Sequence, residues 1–299
     1  MKYIISLDGG GTKTEATAYS LEGKVISQGY SSFSNLLVNE KDGINHIIVA
    51  IENCLRPLSI ENCLFIFLGI AGIGGVKDRG PLEKALNESF HIPFKIVNDA
   101  QIAHAALLNG QNGVLTIAGT GSICIGMNRE NIVTAGGWGH LLGDEGSGYW
   151  ICIEIFKKIT QESDEGMPLS YLTKKLLERL EIKEVNELKQ YIYHSTKGEI
   201  ASHVPFIVEM ANMGDLMAMA VLEEAGRLLA KTTMQAIRKL NLHEIPRVAI
   251  KGSILLRIPV VQNKFVQSIR EHYPAVKFYT NDVSSTFGGY LLAMNEINK

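Results

Sequence analysis

The sequence predicts an α/β protein made of two duplicated halves, because one pattern of strand, glycine-rich loop and strand occurs twice. The first copy lies within residues 3–17 and the second within 113–125. Strand-like and helix-like segments alternate after each copy, as is typical of α/β folds. With 299 residues and 46% hydrophobic content, the chain is long enough for two domains with substantial cores.

Composition and charge exclude several classes of protein. The formal net charge is −2 and no basic stripe is present, so a nucleic-acid partner is not expected. The sequence contains no apolar run of the roughly 18 residues that a membrane span needs, and no signal peptide, so we predict a cytoplasmic protein. The four isolated cysteines favour buried, reduced thiols over a zinc or iron–sulfur site.

The first glycine-rich loop follows the apolar strand at residues 4–7 and predicts a phosphate-binding site. Glycines leave backbone N–H groups open to an anion, and threonines add hydroxyl donors. A carboxylate at the strand end fits a hydrated Mg²⁺ between it and the phosphates, so Asp8 is the metal candidate, through water. The candidate residues are Asp8, Gly9, Gly10, Gly11, Thr12, Lys13 and Thr14. A tight hairpin turn without a ligand, with Lys13 facing solvent, is the alternative.

The second loop repeats this arrangement between the strands at 114–118 and 123–126. Its candidate phosphate-binding residues are Gly119, Thr120, Gly121 and Ser122. Each copy continues into a third strand after a charged turn, at 21–24 in the first and 128–131 in the second. Two such three-stranded meanders facing each other would hold a polyphosphate from both sides.

The remaining elements follow from hydrophobic spacing and turn residues. In the first half we predict helices at 43–55, 81–90 and 100–108 and strands at 64–68 and 94–97. In the second half we predict a glycine-rich loop at 136–150 that leads into a helix through 159, helices at 169–180, 185–193, 199–212, 215–240 and 259–271, strands at 248–251 and 276–279, and a closing helix at 284–296. The predicted domains are 1–109 and 110–283, with residues 284–299 packing back on the first.

These motifs resemble the sugar-kinase branch of the superfamily that contains actin and the heat-shock chaperone ATPases. The loops at 8–12 and 119–122 are typical of the superfamily, and the segments at 136–140 and 143–147 are typical of the N-acetylglucosamine kinase family. That family shares its fold with the activator ATPases of benzoyl-CoA reductase. The resemblance implies two duplicated actin-like ATPase (ribonuclease H-like) domains with a nucleotide and sugar cleft between them. A homodimer is compatible with it.

The resemblance also implies a function and a set of site residues. The expected reaction is ATP- and Mg²⁺-dependent phosphorylation of the 6-hydroxyl of N-acetyl-D-glucosamine. The Gly252 and Ser253 turn would contact the adenosine. The expected sugar contacts are Asn35, Ala71, Gly72, Asp99, Thr120, Gly121, Trp138, Gly139, Asp144 and Gly148. Two residues depart from the family pattern: Ala71 replaces a hydroxyl residue near O1, and Gly148 replaces a small alkyl residue.

Asp99 is the candidate catalytic base, because a carboxylate after a strand can accept the proton of the sugar hydroxyl during transfer. Its alternative role is the N-cap of the helix predicted from residue 100. Asp144 and Glu145 are alternatively acids in the first turn of a helix. For His140 a structural role is favoured, and for Trp138 simple packing is the alternative to a ring under a ligand.

Three other activities remain open. An activator-type ATPase would need clustered cysteines for an iron–sulfur cluster, which the isolated cysteines disfavour. A sugar-sensing regulator would not need Asp99. A related kinase would accept glucose, glucosamine or N-acetylmuramic acid. We predict that N-acetylmuramic acid is the poorer acceptor, because its lactyl carboxylate would lie beside Asp144.

Overall fold

The computed structural model describes residues 1–128, 131–241 and 245–298. The charged turn predicted at 128–131 includes Arg129 and Glu130, which lie outside the described residues. The chain forms two compact units. The first contains Met1–Asn112, Met127–Arg129 and Asn281–Lys299, and the second contains Gly113–Gly126 and Glu130–Thr280. The assignment of two duplicated domains to particular boundaries stays a prediction.

Each unit is built on a five-stranded sheet. The strands are β1 (Tyr3–Gly9), β2 (Thr14–Ser20), β3 (Val25–Ser31), β4 (Cys63–Ile70), β5 (Phe94–Asn98), β6 (Gly113–Ala118), β7 (Ser122–Asn128), β8 (Asn131–Gly136), β9 (Arg247–Lys251) and β10 (Lys277–Tyr279). The first sheet has the order β3-β2-β1-β4-β5 and the second has the order β10-β9-β6-β7-β8. In both orders, the first strand of a meander lies at the centre of the sheet.

Twelve α-helices are described among these residues. They are α1 (Glu40–Leu55), α2 (Gly80–Phe90), α3 (Asp99–Leu107), α4 (Gly148–Asp164), α5 (Tyr171–Arg179), α6 (Leu188–His194), α7 (Lys197–Ala201), α8 (Val204–Asn212), α9 (Leu216–Leu240), α10 (Ser253–Arg257), α11 (Pro259–Arg270) and α12 (Ser285–Ile297). Short 3₁₀ helices occupy Ile60–Asn62, Ile73–Gly75 and Val185–Glu187.

The first sheet is mixed and is covered on both faces. β1 pairs antiparallel with β2 and parallel with β4, which in turn pairs parallel with β5. Successive side chains of a strand point to opposite faces. Accordingly, Tyr3, Ile5 and Leu7 lie in the apolar cluster that also contains buried residues of α1 and α2. Ile4 lies in the cluster formed with α3 and α12.

The closing helix α12 belongs to the first unit, although it comes last in the sequence. It packs against α3 and β1. Tyr290 donates a hydrogen bond to the Leu21 carbonyl at 3.0 Å, and the hydroxyls of Tyr19 and Thr286 lie 2.8 Å apart. These contacts join the C-terminal helix to the first meander.

The second sheet supports a larger set of helices. β6 pairs parallel with β9, and β9 with β10. The central helix of this unit is α9. Asp215, the residue before it, caps the helix start, because its side chain accepts from the Ala218 N–H at 2.9 Å. Buried residues of α4, α8, α9 and α11 form one continuous apolar core with the sheet. The large helical insertion predicted for the second half is therefore part of its core.

Two helix predictions are wrong in detail. Residues 199–212 form two helices, α7 and α8, because Pro205 lies in the first turn of a new helix, where its missing N–H costs nothing. Residues 185–193 begin as a 3₁₀ turn before α6. The other predicted helices and strands are present, with ends displaced by a few residues.

Candidate active site

The first glycine-rich loop joins β1 to β2 and is held from two sides. The Gly10 N–H donates to the Lys13 carbonyl at 2.9 Å, which closes the turn. The Gly9 carbonyl accepts from the Ala71 N–H at 2.8 Å, and the Gly10 carbonyl accepts from the Ser34 N–H at 2.9 Å. Gly11 and Thr12 are exposed at the tip. The segments that carry Asn35 and Ala71 therefore buttress the loop and leave its tip open to a ligand.

The polar side chains of this loop have different surroundings. Thr14 is buried and its hydroxyl donates to the Ser32 carbonyl at 2.6 Å, so this hydroxyl supports the hairpin. The Lys13 ammonium lies 3.3 Å from Glu15 Oε2 and is largely exposed, which favours a role at the surface of the loop. Asp8 is half-buried at the end of β1, opposite Glu15 of β2.

Asp8 fits the part that Mg²⁺ requires of a protein at a phosphate site. Mg²⁺ usually keeps several waters and takes one or two carboxylates together with the substrate phosphates. Within the described residues, no group of three or more histidine, cysteine, aspartate or glutamate side chains can hold a metal ion. Asp8 lies next to the open glycine loop, and the nearby Glu15 is paired with Lys13, so the water-mediated ion at Asp8 stays a prediction.

The predicted sugar contacts of the first unit cluster beside this loop. Asn35 Oδ1 accepts from the Leu37 N–H at 3.0 Å, which fixes the amide. An added methyl group on Gly72 would lie only 2.8 Å from Asn35 Oδ1. Since the Ala71 N–H also reaches Gly9, the structure brings Asn35, Ala71 and Gly72 together next to the loop.

Asp99 is the first residue of α3, and it is not the N-cap of that helix. Asn98 is the cap, and its side chain accepts from the Ala100 N–H at 3.0 Å. Asp99 Oδ1 accepts from the same N–H at 2.9 Å. The N-cap alternative is therefore wrong for Asp99. Asp99 lies in the first turn of α3, where the helix dipole makes a favourable place for a carboxylate.

The second glycine-rich loop joins β6 to β7 and is held by the start of α4. The Gly148 N–H donates to the Gly119 carbonyl at 2.8 Å, and the Tyr149 N–H donates to the Thr120 carbonyl at 3.3 Å. Ser122 Oγ donates to the Glu145 carbonyl at 2.9 Å. These bonds leave Thr120 exposed at the tip of a fixed loop.

Asp144 lies directly behind this loop and forms a buried ion pair. Its side chain is 4% exposed, and Oδ2 lies 2.5 Å from the ammonium of Lys197, the first residue of α7. The backbone of Asp144 is left-handed, with φ of 59°, a conformation that few residues other than glycine adopt. An added Cβ on Gly121 would lie 2.8 Å from both Asp144 Oδ2 and Lys197 Nζ. Only glycine at position 121 leaves this ion pair undisturbed.

The alternative reading of Asp144 and Glu145 as acids of the first helical turn is wrong. The helix that follows them, α4, begins at Gly148 and is capped by Ser147, whose Oγ accepts from the Trp150 N–H at 3.2 Å. Asp144 therefore belongs to the loop before the helix, where its carboxylate meets Lys197.

A cavity of about 520 Å³ in the second unit opens beside the second loop. Four of the predicted site residues line it, namely Gly119, Thr120, Gly148 and Ser253. Its other walls come mainly from α8 and α10, through Val204, Pro205, Val208, Ile254 and Arg257. A mostly apolar pocket with a few polar groups at one end is the usual form of a nucleotide or small-molecule site.

Gly252 positions one edge of this cavity. Its φ is 96°, and an added Cβ would lie 2.2 Å from the Ala118 carbonyl oxygen. No other residue fits between β9 and the end of β6 at this point. The predicted turn at 252–253 continues directly into α10, so Ser253 is the first residue of a short helix.

Trp138 and its neighbours form an exposed loop before α4. Trp138 is 74% exposed, so simple packing does not explain it. The Gly139 carbonyl accepts from the N–H groups of Leu142 and Gly143, which shapes the loop. The exposed His140 ring packs edge-on against Tyr149 with 4.8 Å between ring centroids, and its structural role stays a prediction.

Sequence reasoning missed several of these residues. Lys197 reaches Asp144 from 53 positions further along the chain. The cavity wall on α8 comes from a segment predicted only as a helix, and that on α10 was predicted only as the turn at residues 252–253. The one local signal was the run from Thr196 to Glu199, which forms a capping box and so marks a helix start at Lys197.

The four cysteines are all buried and free, as predicted. Burial raises the pKa of the thiols of Cys63, Cys124 and Cys152 to about 12.

Comparisons with known proteins show the family of the chain. The sequence model of the BadF/BadG/BcrA/BcrD ATPase family matches residues 5–289. The chain belongs to that family. It is 33% identical to the N-acetylmuramic acid/N-acetylglucosamine kinase of Clostridium acetobutylicum over 99% of both chains. It is 30% identical to the N-acetyl-D-glucosamine kinase of Dictyostelium discoideum over 98% of both chains.

The fold of this BadF/BadG/BcrA/BcrD-family ATPase also matches solved kinases. A candidate N-acetylglucosamine kinase of Chromobacterium violaceum superposes with a TM-score of 0.75 over 98% of this chain and 99% of that chain, at 21% identity. The predicted actin-like ATPase fold and the predicted family are thereby confirmed. The prediction of an ATP-dependent sugar kinase is also confirmed. The full-length relatives are sugar kinases, and the family is one of ATPases, which implies ATP as the nucleotide.

Among the described residues, no single helix is long and apolar enough to cross a membrane. The segments Lys197–Asn212 and Leu216–Leu240 meet the same criteria only when taken together, and the chain bends by 119° between them. The predicted cytoplasmic location and homodimer stay predictions.

Proposed function

We propose that this protein transfers the γ-phosphoryl group of ATP to the 6-hydroxyl of N-acetyl-D-glucosamine. The observation that carries the proposal is the second unit's fixed glycine loop, which lines a cavity through Gly119 and Thr120 and lies beside the buried Asp144 carboxylate at Gly121. A nucleotide needs the cavity and the loop. An acceptor with several hydroxyl groups needs a fixed carboxylate close to the phosphates.

ATP is proposed to bind with its adenosine against Ser253 and the apolar residues of α8 and α10. The loop tips, Gly11 with Thr12 and Thr120 with Gly121, are proposed to present their N–H groups to the phosphates, while the N–H groups of Gly10 and Gly119 close the two turns. Backbone N–H groups next to glycines suit this role because no Cβ keeps the anion away. A Mg²⁺ ion held through water by Asp8 would neutralise charge on the phosphate oxygens.

The sugar is proposed to contact Asn35 and Asp99 of the first unit and Trp138, Gly139 and Asp144 of the second. Asn35 and Asp144 offer fixed hydrogen-bonding groups for hydroxyls. Trp138 offers an exposed aromatic face, which suits the apolar face of a pyranose ring. Thr120, Gly121 and Gly148 are assigned to the N-acetyl side, and the main chain of Ala71 and Gly72 to the region of O1.

Asp99 is proposed to take the proton of the 6-hydroxyl. As O6 bonds to the γ-phosphorus, the bond between that phosphorus and the bridging oxygen of ADP breaks. The O6 proton passes to a carboxylate oxygen of Asp99 and ADP leaves. Most of the catalysis in such a transfer comes from positioning and from electrostatic stabilisation, with the base contributing a smaller share.

The test is an ADP-release assay with N-acetylglucosamine, glucosamine, glucose and N-acetylmuramic acid, with ³¹P NMR to locate the phosphate in the product. We expect N-acetylglucosamine to stimulate ADP release and to give a 6-phosphate. The analogue 6-deoxy-N-acetylglucosamine is the matched control and should give none. ADP release that does not depend on any sugar would contradict the proposal and favour an activator-type ATPase.

A further inference from the structure

The ion pair between Asp144 and Lys197 has a consequence for the charge of the acceptor. Asp144 alone would place an uncompensated carboxylate beside the sugar, and this was the reason to predict N-acetylmuramic acid as the poorer acceptor. The structure places an ammonium 2.5 Å from that carboxylate. Because the pair has no net charge, strong repulsion between Asp144 and the carboxylate of an acidic sugar is no longer expected.

Resting on the proposed function, we propose that Lys197 is a specificity-determining residue that lets the site take an acceptor with a carboxylate on its 3-oxygen. N-acetylmuramic acid is the acceptor of this kind, since it carries a lactyl ether at that position. Asp144 is assigned to the sugar hydroxyls, so a 3-substituent would lie next to the carboxylate and the ammonium that pairs with it.

The geometry of Lys197 fits this role. An ammonium has three N–H donors and no acceptor. Within the described residues, the one hydrogen bond found for Lys197 Nζ goes to Asp144 Oδ2. The Lys197 side chain is 31% exposed, whereas that of Asp144 is 4% exposed. The ammonium therefore keeps donors for a second carboxylate and remains reachable by a ligand.

The position of Lys197 in its helix points the same way. Lys197 is the first residue of α7, a helix of five residues. Thr196 and Glu199 already satisfy the start of the helix through a capping box, so Lys197 is not needed there. The side chain is instead directed to Asp144 beside the phosphate loop.

Lys197 could alternatively act on ATP, because its ammonium lies close to Gly121 of the second loop. The two roles predict different kinetics. A cation that serves the phosphates would matter equally for every acceptor. A cation that serves the lactyl carboxylate would matter only for the acidic sugar, and its effect would weaken as salt screens the charges.

The test measures kcat/KM for N-acetylglucosamine and N-acetylmuramic acid with the wild type, Lys197→Met and Lys197→Arg. We expect Lys197→Met to lower the value for N-acetylmuramic acid by on the order of tenfold or more, and to change that for N-acetylglucosamine by less than about threefold. Lys197→Arg should retain most of the activity on the acidic sugar, because it keeps the charge. Lys157→Met is the matched control, since Lys157 pairs with Glu154 on the surface of α4.

Lys197→Met leaves a buried carboxylate unpaired, which can destabilise the fold. The double variant Asp144→Asn with Lys197→Met removes both charges and keeps the comparison informative if the single variant unfolds. Relative to its value for N-acetylglucosamine, kcat/KM for N-acetylmuramic acid should be lower in the double variant than in the Asp144→Asn single variant.

Three other outcomes would contradict the proposal, and each points to a different cause. An equal loss for both sugars assigns Lys197 to ATP or to the fold. A wild type that phosphorylates N-acetylglucosamine and not N-acetylmuramic acid refutes the inference and leaves the proposed function intact. A wild type that phosphorylates neither sugar refutes the proposed function itself.

Discussion

The two glycine-rich loops have the same place in their sheets and differ in what lies behind them. The first loop is buttressed by backbone bonds from the segments at Ser34 and Ala71 and carries its own carboxylate, Asp8. The second loop carries no acid and is fixed by the start of α4. The duplicated hairpin thus supplies backbone donors in both units, while the chemistry that distinguishes them comes from neighbouring elements.

The difference follows from what each unit adds to its meander. In the first unit, β5 and α3 supply Asp99. In the second, the long segment between β8 and β9 supplies Asp144, Lys197 and most of the cavity wall. We infer that the first unit provides the base and the metal-side carboxylate, and that the second provides the nucleotide pocket and the control of acceptor charge.

The strongest test of this division is Asp99→Asn. We expect phosphorylation to fall by about 10²–10⁴-fold, because asparagine cannot accept the proton, while the affinity for N-acetylglucosamine stays within about an order of magnitude. The measurement combines steady-state kinetics with calorimetric titration of the sugar. Asp78→Asn is the control, since Asp78 accepts a bond from the Gly80 N–H at 2.8 Å ahead of α2 and is not a proposed site residue. Turnover close to that of the wild type would rule out Asp99 as the base.

The next test asks whether both loops hold phosphate. An added methyl group at Gly11 or at Gly119 would meet no atom within 4 Å, so either alanine variant should fold normally. If phosphate oxygens approach these backbones closely, each variant should bind ATP about tenfold more weakly by titration. Gly74→Ala is the matched control, because an added methyl there also meets nothing.

The two loop variants separate the possible outcomes. A loss in both supports two phosphate-binding loops. If only Gly119→Ala weakens ATP binding, the first loop does not hold phosphate. It would then be a tight turn without a ligand, the alternative given in the sequence analysis. Unchanged affinity in Gly119→Ala would contradict the assignment of the second loop.

Local patterns allowed much of the fold to be predicted from the sequence. The strands of both meanders alternate or concentrate apolar residues, and the glycines mark the turns between them, so the first strand of each sheet could be placed within a few residues. The helix at 199–212 could not, because its apolar spacing continues through the break and only Pro205 signals the new start. Helical periodicity reports which residues face a core, and it does not report where a helix stops.

The candidate site residues came from two sources in the sequence. Local glycine motifs suggested Asp8 and the two loops, and the family resemblance suggested Asn35, Asp99 and Trp138; all of these assignments stay predictions. The pair of Asp144 with Lys197 could not be predicted, since it depends on a tertiary contact and on a left-handed backbone at a residue that is not glycine. The cavity walls from α8 and from α10 beyond Ser253 were missed for the same reason, because they too depend on tertiary contacts.

The smallest effect is expected among the helices that only the second unit has. His203, between α7 and α8, lies against Tyr191 of α6, with 2.5 Å between its Nε2 and the tyrosine hydroxyl. Burial, and then the positive charge of Arg179, lowers the pKa of His203 below its ordinary value of 6.5. The unfolded chain therefore binds a proton below about pH 6.5 that the folded chain does not bind until lower pH, so acidification favours unfolding.

We expect His203→Gln to reduce this acid sensitivity, because glutamine can accept the Tyr191 hydroxyl bond and does not titrate. The loss of melting temperature between pH 7 and pH 5.5 should be smaller than in the wild type by about 1–2 °C. His194→Gln is the control, since His194 is exposed on α6 and bonds only the Gln190 carbonyl. Hydrogen exchange at both pH values would locate the effect: it should appear in α6 to α8 and be absent from β1 to β5. Acid sensitivity that is unchanged in His203→Gln would show that other groups control the acid stability of these helices.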